Sequence, residues 1–132
     1  MLVSMLRCLI IDDSPGFLEA ARGLLEREGV AVVGTGSTGA EALLRVAELR
    51  PDVTLVDIDL GGESGFDVAR ALHGEAGLAE PAVILISTHT ELDYADLIAA
   101  SPVVGFLPKA ALSARAIREL VDSSGRGQRA SR

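Results

Sequence analysis

Four short runs of this chain are apolar at nearly every position rather than at alternate ones, and each leads into a polar group of a different kind. Cys8-Leu9-Ile10-Ile11 meets Asp12 and Asp13, and Val53-Thr54-Leu55-Val56 meets Asp57. Val83-Ile84-Leu85-Ile86 meets Ser87 and Thr88, and Val103 to Leu107 is followed closely by Lys109. A strand with one wet face alternates apolar and polar residues, whereas an unbroken apolar run needs cover on both faces. Helix-like stretches lie between the runs, so the pattern is that of a parallel α/β sheet. In such a sheet all strands end on one edge, and ligands bind beyond that edge. The edge would carry three carboxylates, a hydroxyl and an ammonium, a set suited to a divalent cation and a phosphoryl group.

Local signals delimit the elements. Ser14-Pro15 supplies an N-cap and a proline at the first helical position, Phe17, Leu18, Ala21, Leu24 and Leu25 recur at helical spacing, and Gly29 stops the helix. Val30 to Val33 read as a second strand. Thr38-x-x-Glu41 is a capping box for a helix with Ala42, Leu43, Val46 and Ala47 inward, closed before Pro51. Asp52 to Ile58 form the third strand, Gly61-Gly62 a turn, and Ser64 caps a helix carrying Phe66, Ala69 and Leu72. Pro81 to Ile86 form the fourth strand. Thr90 is expected to cap a helix with Leu92, Leu97 and Ile98 that stops at Ser101-Pro102. Val103 to Leu107 are the fifth strand, and Ser113 opens a last helix burying Ile117, Leu120 and Val121.

At 132 residues the chain makes one domain, residues 1–122, with a basic tail from Ser123 to Arg132 expected to be disordered. The net charge is −7, and the tail holds three arginines and no acid, so the remaining body carries −10. A body that acidic repels DNA and anionic membranes, which argues against nucleic-acid binding by this domain. The first eleven residues are too short to span a bilayer and read as no signal peptide, so a cytoplasmic location is expected. The single cysteine, Cys8, lies inside an apolar run and reads as a buried, inert thiol.

The chemistry of the edge follows from its donors. Magnesium takes oxygen ligands and is usually held by one or two carboxylates plus phosphate oxygens. Three clustered carboxylates repel one another without a cation, so a metal also accounts for their coexistence. One carboxylate can be the nucleophile that accepts a phosphoryl group, giving an acyl phosphate. Catalysis then needs positioning and charge neutralisation, which the metal, Lys109 and the Ser87 hydroxyl supply. Taken singly, Asp57 could be a turn residue, Lys109 a solvated lysine and Phe106 core packing; the combination favours function. His73 and His89 read as surface histidines, without a second ligand at metal spacing.

Leu9-Ile-Ile-Asp-Asp13, Pro51-Asp-Val-Thr-Leu-Val-Asp57, Ile86-Ser-Thr88 and Gly105-Phe-Leu-Pro-Lys109 together resemble the receiver domain of two-component response regulators, over about Leu6 to Asp122. The resemblance implies a flavodoxin-like sheet of order 2-1-3-4-5 with helices on both faces. It makes Asp57 the phosphoacceptor, and Asp12 and Asp13 the magnesium ligands, with the backbone carbonyl of Asp59 completing the shell. It makes Ser87 the hydroxyl that moves to the phosphoryl group, Lys109 its counter-ion, and Phe106 the switch aromatic. It implies a sensor histidine kinase or phosphotransfer protein as donor, a downstream protein partner, and a homodimer through the fourth helix, fifth strand and fifth helix. Departures are Ala110, where many receivers have a proline in a cis peptide, and Gly61-Gly62, where Pro-Gly is frequent. Asp59 and His89 occupy positions that tune phosphoryl lifetime in the family.

Three rivals compete. Gly34-Thr-Gly-Ser-Thr-Gly39 matches the GxGxxG of dinucleotide-binding domains, but it follows the second strand rather than the first. Val56-Asp-Ile-Asp59 resembles the DxD of haloacid-dehalogenase-like phosphatases, which carry it on the first strand. The third rival is a receiver half of a DNA-binding regulator, against a stand-alone interaction switch that is not an enzyme.

Overall fold

Both faces of the central strands are covered, as their unbroken apolar runs require. The computed structural model describes residues 5–74, 82–88 and 91–123. Strands β1 (Arg7–Ile11), β2 (Ala31–Gly36), β3 (Val53–Asp57), β4 (Val83–Ser87) and β5 (Gly105–Pro108) form one parallel sheet, ordered β2-β1-β3-β4-β5. This is the flavodoxin-like order expected above. Helices α1 (Pro15–Arg27) and α5 (Ala114–Ser123) cover one face, where Ile10, Leu55, Ile84 and Ile86 meet Ala21, Leu25 and Ile117. Helices α2 (Gly39–Leu49), α3 (Gly65–His73) and α4 (Ala95–Ala99) cover the other, where Leu9, Ile11, Val56 and Leu85 meet Val46, Phe66, Leu72 and Ile98. Each fully buried aliphatic side chain contributes roughly 1.5–3 kcal/mol.

The helix starts follow the capping residues. Ser14 Oγ accepts from Phe17 N at 3.3 Å, Thr38 Oγ1 from Glu41 N at 3.1 Å, Ser64 Oγ from Phe66 N at 3.1 Å and Ser113 Oγ from Ala116 N at 3.0 Å. Glu41 closes its capping box one residue early, accepting from Ser37 N at 2.7 Å and Ser37 Oγ at 3.1 Å. Those bonds hold its carboxyl below the usual carboxylate range. The first turn of α5 also receives a carboxylate from the far end of α1, since Glu28 Oε1 accepts from Ala114 N at 2.7 Å. Arg50 ends α2 in the left-handed region, at φ 47°.

Several expectations need correction. The second strand runs on to Gly36, because Gly34, Thr35 and Gly36 keep pairing with Leu9, Ile10 and Ile11. Ala47 is exposed: the inward face of α2 is Ala42, Leu43, Val46 and Leu49, and one step past Val46 turns away from it. The fourth helix is far shorter than its pattern suggests. A 3-10 turn over Glu91–Tyr94 precedes only five α-helical residues, no side chain caps them, and Leu97 is 52% exposed. Ile98 is the residue that anchors α4 to the core, so there is little packing to extend it. Leu120 and Val121 are half-buried rather than buried. Thr90, His89, Pro81 and the tail beyond Ser123 lie outside the described residues, and Ser123 itself ends α5.

Candidate functional site

The carboxyl edge of the sheet gathers the expected groups. Asp12 directly follows β1, Asp57 ends β3, Ser87 ends β4, and Lys109 follows β5 in a 3-10 turn over Lys109–Ala111. Asp12, Asp57 and Ser87 are all buried, while Asp13 is exposed at the rim. One carboxylate oxygen each from Asp12, Asp13 and Asp57 lie within 4.8 Å of one another. Lys109 Nζ stands 2.7 Å from Asp12 Oδ2 and 3.1 Å from Asp57 Oδ2, so it bridges two strand ends.

Each carboxylate is oriented by the backbone around it. Asp12 N donates to Gly36 O at 2.9 Å, and Asp12 Oδ1 accepts from Ser14 N at 2.8 Å. Asp57 Oδ1 accepts from Asp59 N at 3.1 Å, which leaves Oδ2 facing the lysine. Burial pushes the Asp57 carboxyl up from its usual range. The Asp59 N–H and Lys109 oppose that shift, and the charge of Asp12 adds to it. Burial pulls the ammonium of Lys109 down, but its two carboxylates outweigh that and raise it.

The donor set fits a hard divalent cation. Asp12 Oδ2 is fully buried and, although the lysine is close, no donor is aligned on it as a hydrogen bond. An oxygen in that state gains most from a cation in contact with it. Asp12, Asp13 and Asp57 would hold magnesium. The Asp59 side chain is not among them: it is exposed and turns back to accept from Gly61 N at 3.1 Å. That also separates the pair Asp57 and Asp59 as a phosphatase DxD.

Ser87 pairs in register with Pro108, while Thr88 is exposed, which favours Ser87 as the hydroxyl facing the edge. Leu85 pairs with Phe106, so strand alternation places Ser87 on the face of the sheet that carries Phe106. Phe106 is buried in the cluster that also holds Phe66, and Tyr94 and Ile98 pack against that cluster. His73 is exposed at the end of α3. Among the described residues no peptide is cis, including those around Ala110.

The glycine motif makes no phosphate loop. Gly34 and Gly36 belong to β2, and the N–H of Gly39 donates to Glu63 Oε1 at 2.6 Å. Two contributors, Phe17 and Gly65, were missed by reasoning from the sequence, and Gly61 was read only as part of a turn. Phe17, expected only in the core, has its ring centroid 4.3 Å from Lys109 Nζ and gives the ammonium a cation–π contact. Gly65 lets α3 start against the end of β3, since a Cβ there would lie 2.1 Å from Asp57 O. Gly61, at φ +79°, passes close to Asp13, whose Oδ2 lies 3.3 Å from where a Cβ would be. The family signature around Asp57 was the signal that could have pointed to Gly65.

A five-stranded doubly wound domain with a lysine-bridged carboxylate cluster at its carboxyl edge has the flavodoxin-like fold. The chain belongs to the response regulator receiver domain family of two-component systems, whose model matches residues 8–122. It is 40% identical over 89 residues to the DNA-binding response regulator MtrA of Mycolicibacterium smegmatis, covering 66% of this chain and 37% of that protein. It is 41% identical over 90 residues to a protein-glutamate methylesterase/protein-glutamine glutaminase of Myxococcus xanthus, covering 67% of this chain and 25% of that protein. Among solved structures it resembles the receiver domain of NarL from Mycobacterium tuberculosis, with TM-score 0.78 and 30% identity over 94% of this chain and 99% of that one. No helix among the described residues is long and apolar enough to cross a membrane.

Proposed function

We propose that this domain takes one phosphoryl group on Asp57 from a kinase phosphohistidine, with magnesium at Asp12, Asp13 and Asp57, and so changes a protein-binding surface. The observation that carries the reading is the placement of Asp57, buried at the end of β3 within the carboxylate cluster and 3.1 Å from Lys109 Nζ. A carboxylate oxygen of Asp57 attacks phosphorus, the phosphorus–nitrogen bond to the histidine breaks, and its electron pair returns to the imidazole. Magnesium bound there supplies charge neutralisation of the phosphoryl oxygens. Lys109 holds its positive charge beside the acceptor, kept protonated by the two carboxylates it bridges. The Asp59 N–H holds the other acceptor oxygen, and the Asp59 carbonyl is a further ligand in this reading. Water later hydrolyses the acyl phosphate, and Asp59 and His89 set how fast it enters.

Ser87 moves to donate a hydrogen bond to a phosphoryl oxygen, and Phe106, two residues along the same face, reads that movement as the switch aromatic. The surface changed is that of α4, β5 and α5, which serves a downstream protein or a second copy of the domain. Intact mass with magnesium and a small acyl phosphate tests the reading: one phosphoryl adduct is expected on the wild type and none on Asp57→Ala. Equal labelling of the two would sink it. A DNA-binding output is the second reading, favoured by the likeness to MtrA, and the full reading frame decides between it and a stand-alone switch.

A further inference from the structure

The glycine-rich stretch from Gly34 to Gly39 plays no part in phosphoryl chemistry as described, yet it ends against a side chain from the acceptor turn. Glu63 lies in the turn between β3 and α3 and reaches back 24 residues to accept from Gly39 N at 2.6 Å. Gly39 is the first residue of α2, so the carboxylate meets a backbone N–H at the positive end of a helix. A Cβ there would lie 2.7 Å from Glu63 Oε2 and 3.0 Å from Val68 Cγ2, so a larger residue at 39 would displace this carboxylate.

The same turn touches the carboxylates at its other end. Asp59 N binds Asp57 Oδ1, Gly61 N binds Asp59 Oδ1, and Leu60 N donates to Glu63 O at 3.0 Å. A Cβ at Gly61 would lie 3.3 Å from Asp13 Oδ2, so the turn passes beside that carboxylate. On the opposite side, Asp12 N donates to Gly36 O, three residues before Gly39. Bonds and backbone therefore form a ring. It runs from Asp12 to Gly36, along the chain to Gly39, across to Glu63, and back through the turn to Asp57, which Lys109 bridges to Asp12.

We infer that Glu63 is a positioning residue for the metal-binding carboxylates, its bond to Gly39 closing the ring that sets how Asp57 and the acceptor turn stand against Asp12 and Asp13. The inference rests on the magnesium reading above. It does not invoke the charge of Glu63, and that makes it separable from a simple field effect. Glutamine keeps the length and an acceptor oxygen but loses the charge. Aspartate keeps the charge but is one methylene too short to reach Gly39.

The test is a calorimetric titration of the whole chain with magnesium chloride, on wild type, Glu63→Ala, Glu63→Gln and Glu63→Asp, each also followed by thermal unfolding without metal. Alanine and aspartate are expected to raise the magnesium Kd by about tenfold, the usual cost of a lost outer partner, while glutamine stays within about twofold. Aspartate tracking the wild type and glutamine tracking alanine would overturn the inference in favour of charge alone. A magnesium Kd unchanged in Glu63→Ala, with or without a lower Tm, would also overturn it. No magnesium binding by the wild type would overturn the metal reading itself, a result distinct from either.

Discussion

Gly65→Ala puts a methyl group where backbone already stands. Its Cβ would lie 2.1 Å from Asp57 O and 2.8 Å from both Asp57 C and Ile58 Cα. None of these atoms can rotate aside as a side-chain tip could. Reaching an ordinary contact of 3.4 Å requires a displacement of 3.4 − 2.1 = 1.3 Å between α3 and the end of β3. The bond from Gly65 N to Ile58 O is 2.7 Å, and the same displacement would stretch it to about 4.0 Å, which breaks it. Overpacking of this kind costs about 1–3 kcal/mol, and the lost bond leaves a buried group unpaired at about 1–3 kcal/mol. The better helix propensity of alanine returns up to ~1 kcal/mol. The net loss is about 1–5 kcal/mol, centred near 3, or roughly 10 °C in Tm for a chain of this size. Urea denaturation of Gly65→Ala beside Gly62→Ala measures it, because a Cβ at residue 62 meets nothing within 4 Å. A loss under about 0.5 kcal/mol, indistinguishable from the Gly62 control, would refute the packing argument.

Lys109→Met leaves the fully buried Asp12 carboxylate without its cation, and should cost about 3 kcal/mol in metal-free urea denaturation, with magnesium recovering a large part. Arg50→Gly should raise stability by roughly 0.5–1 kcal/mol, since φ 47° strains the arginine and its link to Arg7 is through the backbone oxygen. Burial pushes the Cys8 thiol up to about 12 from 9.0, so between those values the unfolded chain has lost a proton that the folded chain keeps. The Cys8 contribution to stability is then flat below about pH 8 and falls by about 1.4 kcal/mol per pH unit from about 9 upward, a slope that Cys8→Ala removes in urea midpoints. Thiol reagents at about pH 8 should leave the native Cys8 unlabelled.

The edge was legible because its residues follow apolar runs too continuous to be half-wet strands. Asp12, Asp57, Ser87 and Lys109 needed only the direction of the strands to come together. Glu63 and Gly65 were not legible in the same way. The bond from Gly39 to Glu63 joins two turns across different βα units, and no local propensity signals it. Phe17 reads as an ordinary inward residue of α1, and only the return of the chain at β5 brings Lys109 over its ring. The fourth helix misled in the opposite direction. Its apolar residues suggest a longer helix, but Leu97 faces water and Ile98 alone holds α4 to the core, so packing did not reward the pattern.

The carboxylate of Glu28 on Ala114 N links residues 86 apart, at the end of the first helix and the start of the last. During synthesis, then, the carboxyl-terminal end of α1 is finished early and waits for a partner made 86 residues later. The wait extends to the face beneath, since Ile10, Leu55 and Ile84 are covered jointly by α1 and α5. A nascent chain halted before Ser113 would present that face as an open apolar surface, the kind that chaperones and aggregation both seek. Closure of this face of the domain therefore waits for α5, which covers strands made long before it.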